Sequence, residues 1–179
     1  RFYAAVELED DAAKMWRKAL ENSGEPALAR EFVKHLVMAD DAKQRQEAQT
    51  WLDRLLADDP DDVELRVLQA VIWLQDGRHE KGERQLRAVV EEEPLARGAL
   101  FLLGEQYRKT GRLQEATALW ERCAHWYSED GEWHLHLAAM YEEMGRLDKA
   151  LAAVDRCVDK GDVRLRYERA RYLSLLGRF

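Results

Sequence analysis

Residues 97–130, RGALFLLGEQYRKTGRLQEATALWERCAHWYSED, determine how the rest of the chain is interpreted. Leu103 and Tyr107 fall at helical spacing, Gly111 interrupts the pattern, and Trp120 belongs to the apolar pattern that follows. A glycine just after a periodic apolar run is typical of a helix end, because it adopts the left-handed conformation without a Cβ clash. The stretch therefore predicts two amphipathic helices joined by a tight glycine turn.

The landmarks of this stretch recur at a fixed interval. Intervals of 34 residues separate Gly77 from Gly111 and Gly111 from Gly145, and each of these glycines is followed by arginine. A period of this length, made of helix–turn–helix units, predicts a stacked helical solenoid. Other pairs at the same interval are Pro60 and Pro94, Tyr107 and Tyr141, Ala116 and Ala150, and Cys123 and Cys157.

The unit resembles the tetratricopeptide repeat, whose first helix carries Leu-Gly and Tyr and whose second helix carries Ala and a large residue. In residues 97–130 these places are taken by Leu103, Gly104, Tyr107, Ala116 and Trp120. The resemblance covers most of the chain. It implies an all-α fold, a right-handed superhelical solenoid of antiparallel helix pairs.

The repeat pattern also predicts divisions of the chain. Both ends fall inside a repeat, which predicts a fragment of a longer array, since a natural terminus normally carries a polar capping helix. The predicted divisions are a partial N-terminal repeat at 1–28, a degenerate repeat at 29–62, repeats at 63–96, 97–130 and 131–162, and the first helix of a truncated repeat at 163–179.

Composition excludes several functional classes. The formal net charge of −7 argues against general nucleic-acid binding, which normally needs a basic surface. No apolar run reaches the roughly 20 residues that cross a bilayer, so membrane insertion is not expected. Cys123 and Cys157 hold equivalent places in successive repeats, too far apart for a disulfide, and are expected to be small buried packing residues. The compartment stays open between bacterial periplasm and cytoplasm.

The sequence carries no recognisable catalytic or metal-binding pattern. His134 and His136 lie near Cys123 and His125, but imidazoles two positions apart on a helix diverge by about 200° instead of meeting at one metal. The acidic run 58–62 has no EF-hand spacing, so helix capping by Asp61 or Asp62 is favoured over cation binding. We therefore predict no catalytic residue, no metal and no cofactor.

The resemblance does imply a binding surface. In tetratricopeptide proteins the first helices line a concave groove that holds a peptide or a partner helix. An apolar floor with charged edges suits an amphipathic or extended segment. The alternative is that the aliphatic residues simply pack adjacent first helices. The implied groove residues are Val33, Val37, Asp40, Val67, Val71, Leu74, Phe101, Glu105, Arg108, Lys109, Leu135, Ala139, Glu142, Glu143, Tyr167 and Arg171.

Three functional hypotheses follow. The first is a non-enzymatic scaffold that docks another protein in the concave groove, with self-association of arrays left open. The second comes from a further resemblance, to the periplasmic repeat arrays of bacterial exopolysaccharide export proteins of the Pel type, which implies recruitment of a polysaccharide-modifying enzyme. The third is direct glycan binding through exposed Trp126, Tyr127 and Trp133.

Overall fold

The computed structural model describes residues 13–20, 25–39, 41–157 and 162–178, and every regular element in these ranges is an α-helix. The predicted all-α fold is therefore confirmed. The ten helices of the described residues are α1 (residues 13–20), α2 (Pro26–Met38), α3 (Ala42–Asp58), α4 (Val63–Gln75), α5 (His79–Glu92), α6 (Arg97–Lys109), α7 (Leu113–Trp126), α8 (Gly131–Glu143), α9 (Leu147–Asp155) and α10 (Val163–Leu175).

The helices form two compact units. Unit 1 comprises Arg1–Ala99 and unit 2 comprises Leu100–Phe179, so the boundary falls within α6. In unit 1, α2 packs against α3, α3 against α4, and α4 against α5. In unit 2, α7 packs against α8, α8 against α9, and α9 against α10. Consecutive helices are therefore neighbours, as expected for helix–turn–helix repeats.

Aspartates cap the N-termini of four helices. Asp62 accepts a hydrogen bond from the Leu65 N–H at 2.9 Å, so the predicted cap is confirmed. Partial burial acts to raise the pKa of Asp62, but hydrogen bonds from Leu65 N–H and from the Arg30 guanidinium lower it overall. The same capping role belongs to Asp41 for α3, Asp130 for α8 and Asp162 for α10.

Glycines end the first helices. Gly77, Gly111 and Gly145 have φ of 76°, 75° and 70°, the left-handed region in which a Cβ would clash. After Gly111, the Arg112 N–H donates to the Tyr107 carbonyl at 2.8 Å, the six-residue bond of a Schellman motif. Gly177 repeats this geometry with φ of 66°. The 34-residue interval of the sequence therefore separates glycine turns that share one backbone conformation.

Each unit has an apolar core between its helices. In unit 1 the core includes Phe32, Leu36 and Leu52, all fully buried. In unit 2 it includes Trp120 and Leu165, while Cys123 and Cys157 are buried free thiols, as expected from their positions. Burial raises the pKa of the Cys123 thiol to about 11, so it is protonated and unreactive at neutral pH.

The closest approach between α6 and α7 requires a residue without a side chain. A Cβ built on Gly104 would overlap Nε1, Cε2 and Cζ2 of the Trp120 indole, which is 1% exposed. Gly98, on the same helix, accommodates a Cβ without overlap, since its nearest neighbour would be Val67 Cγ1 at 3.6 Å, an ordinary van der Waals contact. Gly104 is thus the small partner that allows the large Trp120 side chain to be buried.

Gly104→Ala should lower the free energy of unfolding by about 1–3 kcal/mol, because the added methyl displaces a closely packed indole. Gly98→Ala is the matched control and should be neutral or stabilising by up to about 1 kcal/mol, since alanine favours a helix over glycine. Urea unfolding followed by tryptophan fluorescence measures both. Equal stability of Gly104→Ala and the unaltered chain would contradict the packing described above.

Candidate functional site

The first helices of the repeats expose clefts whose edges are tied by ion pairs. Lys34 on α2 lies 2.7 Å from Glu64 on α4. In unit 2, the Arg108 guanidinium on α6 donates to Glu143 on α8 at 3.0 Å. These pairs join successive first helices along the surface where the groove was predicted.

The cleft with the larger volume lies between α8 and α10 in unit 2, and we call it the α8–α10 cleft. Its volume is about 560 Å³, within the range of about 300–1,000 Å³ that is common for ligand pockets. Two of its apolar side chains are conspicuously exposed, Val163 at 70% and Tyr167 at 66%. The lining residues are Leu135, Ala139, Glu142, Val163, Arg164, Tyr167, Glu168, Arg171 and Tyr172.

One wall of this cleft is a hydrogen-bonded cluster around Glu142. The two terminal nitrogens of Arg171 donate to the two carboxylate oxygens of Glu142, each at 2.6 Å, and the Tyr172 hydroxyl donates at 3.0 Å. The Arg171 Nε donates to Glu168 at 2.7 Å. The hydrogen bond from Arg171 lowers the pKa of Glu142, while burial raises the pKa of Tyr172. The four side chains therefore satisfy one another's hydrogen bonds.

A smaller pocket lies in unit 1, and we call it the α2–α4 pocket. Its volume is about 420 Å³, and Met38 beside it is 76% exposed. Hydrogen bonds to Glu31 and then to Glu64 raise the pKa of Lys34 at its edge, so the ammonium stays charged. The pocket is lined by Lys34, Met38, Val63, Glu64, Val67, Leu68, Ala96, Arg97, Gly98 and Ala99.

The structure brings some of the predicted groove residues together. Leu135, Ala139, Glu142, Tyr167 and Arg171 all line the α8–α10 cleft. They come from two successive first helices, which is the arrangement that the resemblance implied.

In unit 1 the agreement is much weaker. Of the predicted groove residues there, Val67 alone is among those that line the α2–α4 pocket. Val33 and Val37 are fully buried, so the prediction that they line a groove is wrong. They point into the core of unit 1, where α2 packs against α3 and α4.

Val71 and Leu74 are partly buried for similar reasons. Val71 packs against the same core, and a Cβ on Gly82 of α5 would lie 2.7 Å from Leu74 Cγ. For these aliphatic residues the alternative interpretation, packing between helices, describes the structure better. Asp40, the remaining predicted residue of unit 1, lies outside the described residues.

The predicted groove residues of α6 are largely engaged within the chain. Phe101 is 37% exposed and packs against the His136 ring, with 5.0 Å between ring centroids. The Arg108 guanidinium donates both to Glu105 and to Glu143, each at 3.0 Å. Lys109 and Glu143 are exposed at the end of their helices. The charged edge is therefore mostly paired with itself.

Sequence reasoning missed four residues of the α8–α10 cleft, namely Val163, Arg164, Glu168 and Tyr172. Val163 lies one helical turn before the predicted Tyr167, and residues four apart share a helix face. That spacing was a usable signal for Val163. Tyr172 had no such signal, because it is 1% exposed and reaches the cleft only through its contact with Glu142.

The aromatic residues proposed for glycan binding are not an exposed set. Trp126 is 39% exposed, with the Arg122 guanidinium 4.8 Å from its ring centroid. Trp133 is 2% exposed and stacks on Tyr127 with 5.6 Å between centroids. The prediction that Trp133 is exposed is wrong, because this side chain fills the core of unit 2. Because Trp133 is buried, the three aromatic residues do not form one exposed surface on which a sugar could stack.

The two histidines that flank Leu135 face different surroundings. His134 is buried beside carbonyl oxygens of Ser128 and Ala153, whereas His136 lies among aromatic rings. Within the described residues, no three His, Cys, Asp or Glu side chains are grouped so as to hold a metal ion. Nor does any helix in that part of the chain have the length and apolar character needed to span a membrane.

Comparison with known proteins relates part of the chain to a repeat family. The family model described as tetratricopeptide repeat matches residues 39–86 and 77–124, two overlapping segments. Among curated proteins, none matches the chain. The family match therefore covers residues 39–124 and depends on the repeat pattern of that segment.

Solved structures share the fold of this chain. A tetratricopeptide repeat protein from Thermus thermophilus aligns with 96% of this chain and 93% of its own, at a TM-score of 0.69 and 20% identity. A tetratricopeptide repeat protein from Parabacteroides merdae aligns with 98% of this chain and 71% of its own, at a TM-score of 0.66 and 17% identity. MamA aligns with 76% of this chain and 81% of its own, at a TM-score of 0.62 and 18% identity. These solved structures share the all-helical solenoid fold with this chain.

Glu142→Gln should lower the free energy of unfolding at neutral pH by about 1 kcal/mol, since both partners are about a third exposed and water screens their attraction. Because the folded chain lowers the pKa of Glu142, its contribution is present above the ordinary carboxyl value of about 4.3 and is lost as pH falls through the folded value. Urea unfolding on either side of that range measures the difference.

Glu143→Gln is the control for this prediction. Glu143 accepts one hydrogen bond from Arg108, whereas Glu142 accepts two from Arg171 and one from Tyr172, so a smaller loss is expected at neutral pH. A loss for Glu142→Gln that stays the same at acidic and neutral pH would contradict the charged cluster.

Proposed function

We propose that this chain, whose residues 39–124 match the tetratricopeptide repeat family, is a non-enzymatic scaffold that binds another protein on the surface of its first helices. The α8–α10 cleft is the main docking site. The observation that carries this proposal is the pair of exposed apolar side chains at the cleft, Val163 and Tyr167, above the apolar floor of Leu135 and Ala139. Apolar surface that is exposed in a concave site favours a partner that buries it.

The charges of the cleft favour a partner that presents apolar side chains. Glu142, Glu168 and Arg171 already satisfy one another, and Arg164 donates to Asp162 at 3.1 Å. A charged anchor on the partner would have to break one of these pairs before it gained a new one. An amphipathic helix or an extended segment that inserts one or two aliphatic or aromatic residues meets no such cost. The paired charges then form a polar edge around the contact.

The role in bacterial exopolysaccharide export stays a prediction from the sequence resemblance. The relatives named above carry no indication of it, and the repeats alone are compatible with either compartment. A secretion signal and an outer-membrane barrel in the complete gene product, together with binding of a polysaccharide-modifying enzyme, would support that role. Capture of a cytoplasmic partner in the α8–α10 cleft would exclude it.

Tyr167→Ala should weaken binding of the protein partner roughly tenfold or more, since an exposed tyrosine at the centre of a docking site is a typical hot spot. The partner is first identified with a photo-crosslinking amino acid placed at position 167, followed by mass spectrometry. Binding of the purified partner to the altered chain is then measured by calorimetry, and circular dichroism checks that the fold is intact.

Leu175→Ala is the matched control. Leu175 is 55% exposed on the same helix but does not line the cleft, so its replacement should leave binding unchanged. If both alanine variants bind the partner as the unaltered chain does, or if crosslinks arise at position 175 and not at 167, docking in the α8–α10 cleft is wrong.

A further inference from the structure

Arg171 offers two kinds of surface, and the structure uses them differently. A guanidinium is a planar group with N–H donors around its edge and a face on either side of the plane. The edge of Arg171 is engaged, since its terminal nitrogens donate to Glu142 and its Nε donates to Glu168. One face is covered by the Tyr172 ring, whose centroid lies 4.5 Å from the Arg171 Cζ. The side chain still lines the α8–α10 cleft and is 33% exposed, so what it presents there is its second face.

The face of a guanidinium attracts a different ligand from its edge. The edge binds carboxylates and phosphates, whereas the face stacks on aromatic rings through cation–π attraction. A carboxylate from a partner would have to displace Glu142 or Glu168 from Arg171. An aromatic ring leaves both ion pairs intact. The charged wall of the cleft therefore discriminates between acidic and aromatic side chains in favour of the aromatic ones.

The other lining residues suit a flat ring. Tyr167 precedes Arg171 by four residues on α10, so the two side chains share one face of that helix. Tyr167 is 66% exposed, and aromatic pairs gain attraction beyond the burial of their apolar area. Leu135 and Ala139, also four residues apart, form the apolar floor on α8. A ring between the two helices therefore meets a tyrosine and a guanidinium face on one side and aliphatic groups on the other.

The preceding pair of first helices has an aromatic ring at the equivalent position. Leu135 follows Phe101 on α6 by 34 residues, the repeat interval, and the Phe101 ring lies against the His136 ring with 5.0 Å between centroids. Ala139 follows Glu105 by the same interval. At both positions α8 has the smaller side chain. By repeat position, α8 thus brings an aliphatic side chain to the place where α6 brings an aromatic ring.

We propose that the α8–α10 cleft binds one aromatic side chain of the partner, whose ring stacks on the uncovered face of the Arg171 guanidinium and packs against Tyr167 and Ala139. This inference rests on the proposed docking function and adds to it the chemistry of the side chain that the cleft recognises. Tryptophan is the preferred anchor, because its ring gives the strongest cation–π attraction. Leucine gains only the burial of apolar area, and an acidic side chain has to break an existing ion pair.

The first experiment uses neutral single-residue probes, so it does not depend on a protein partner. N-acetyl-tryptophanamide and N-acetyl-leucinamide are titrated separately into the unaltered chain labelled with carbon-13 and nitrogen-15. NMR follows the Ala139 methyl group and the Arg171 Nε–H group. The tryptophan probe should bind there roughly threefold to tenfold more tightly than the leucine probe, the gain expected of one cation–π contact. Equal affinities, or shift changes confined to residues outside the cleft, would overturn the proposal.

Two substitutions and a control locate the contact. Ala139→Leu should fill the floor and abolish binding of the tryptophan probe. Ala152→Leu makes the same change at an exposed position of α9 outside the cleft and should leave binding unchanged. Arg171→Lys keeps the positive charge but removes the planar face, so it should lower the affinity of the tryptophan probe to that of the leucine probe. Circular dichroism checks the fold of each variant.

The variants can also contradict the proposal. Tight binding of the tryptophan probe to Ala139→Leu would show that the ring does not enter the cleft. An undiminished preference for the tryptophan probe in Arg171→Lys would show that it does not stack on the guanidinium. If Arg171→Lys does not fold, the comparison of the two probes on the unaltered chain decides.

The protein partner provides a separate measurement. Once crosslinking at position 167 has identified the bound segment, its aromatic residue at the contact is replaced by leucine, and binding should weaken roughly threefold to tenfold. An aliphatic residue at that contact would overturn the aromatic preference and leave the docking function intact. Binding of the tryptophan probe in the cleft, together with a partner whose affinity does not depend on Tyr167, would contradict the docking function and support the aromatic site.

Discussion

The structure depends on apolar contact between consecutive helices, because no helix in these repeats can bury its apolar face alone. The glycine turns make this contact geometrically regular, since a residue with positive φ at Gly77, Gly111 or Gly145 reverses the chain within a few residues. Gly104 then admits the Trp120 indole between α6 and α7. Burial therefore takes place mainly between neighbours in sequence, and each unit acquires its core locally.

The locality of these contacts explains how much could be predicted. Helices such as Val63–Gln75 and His79–Glu92 were predictable because their limits are set by Asp62, by Gly77 and by apolar spacing, all visible in the sequence. Exposure was less predictable, because it depends on which neighbour covers a side chain. Val33 and Val37 hold first-helix positions that line a groove in regular repeats, but here both are buried in the core of unit 1.

The same argument separates the two ends of the predicted groove. In unit 2 the residues Leu135 and Tyr167 lie on first helices whose exposed faces meet at a cleft, so repeat position brought together residues that line one surface. Trp133, two residues from Leu135, points to the opposite side of α8 and is buried. A helix turns about 200° in two residues, so the face that a residue occupies matters more than its distance from the site along the chain.

Charge pairing refines what the cleft can recognise. An acidic chain with many arginines has charged residues on every surface, and their presence in a predicted groove says little about a partner's charge. The arrangement is informative, because Arg171 uses its two terminal nitrogens on Glu142 and its Nε on Glu168. These side chains therefore stabilise the edge of the cleft and are not available to form ion pairs with a partner. The exposed apolar side chains of the cleft have no such partner, so their burial is the main source of binding free energy that the cleft can offer.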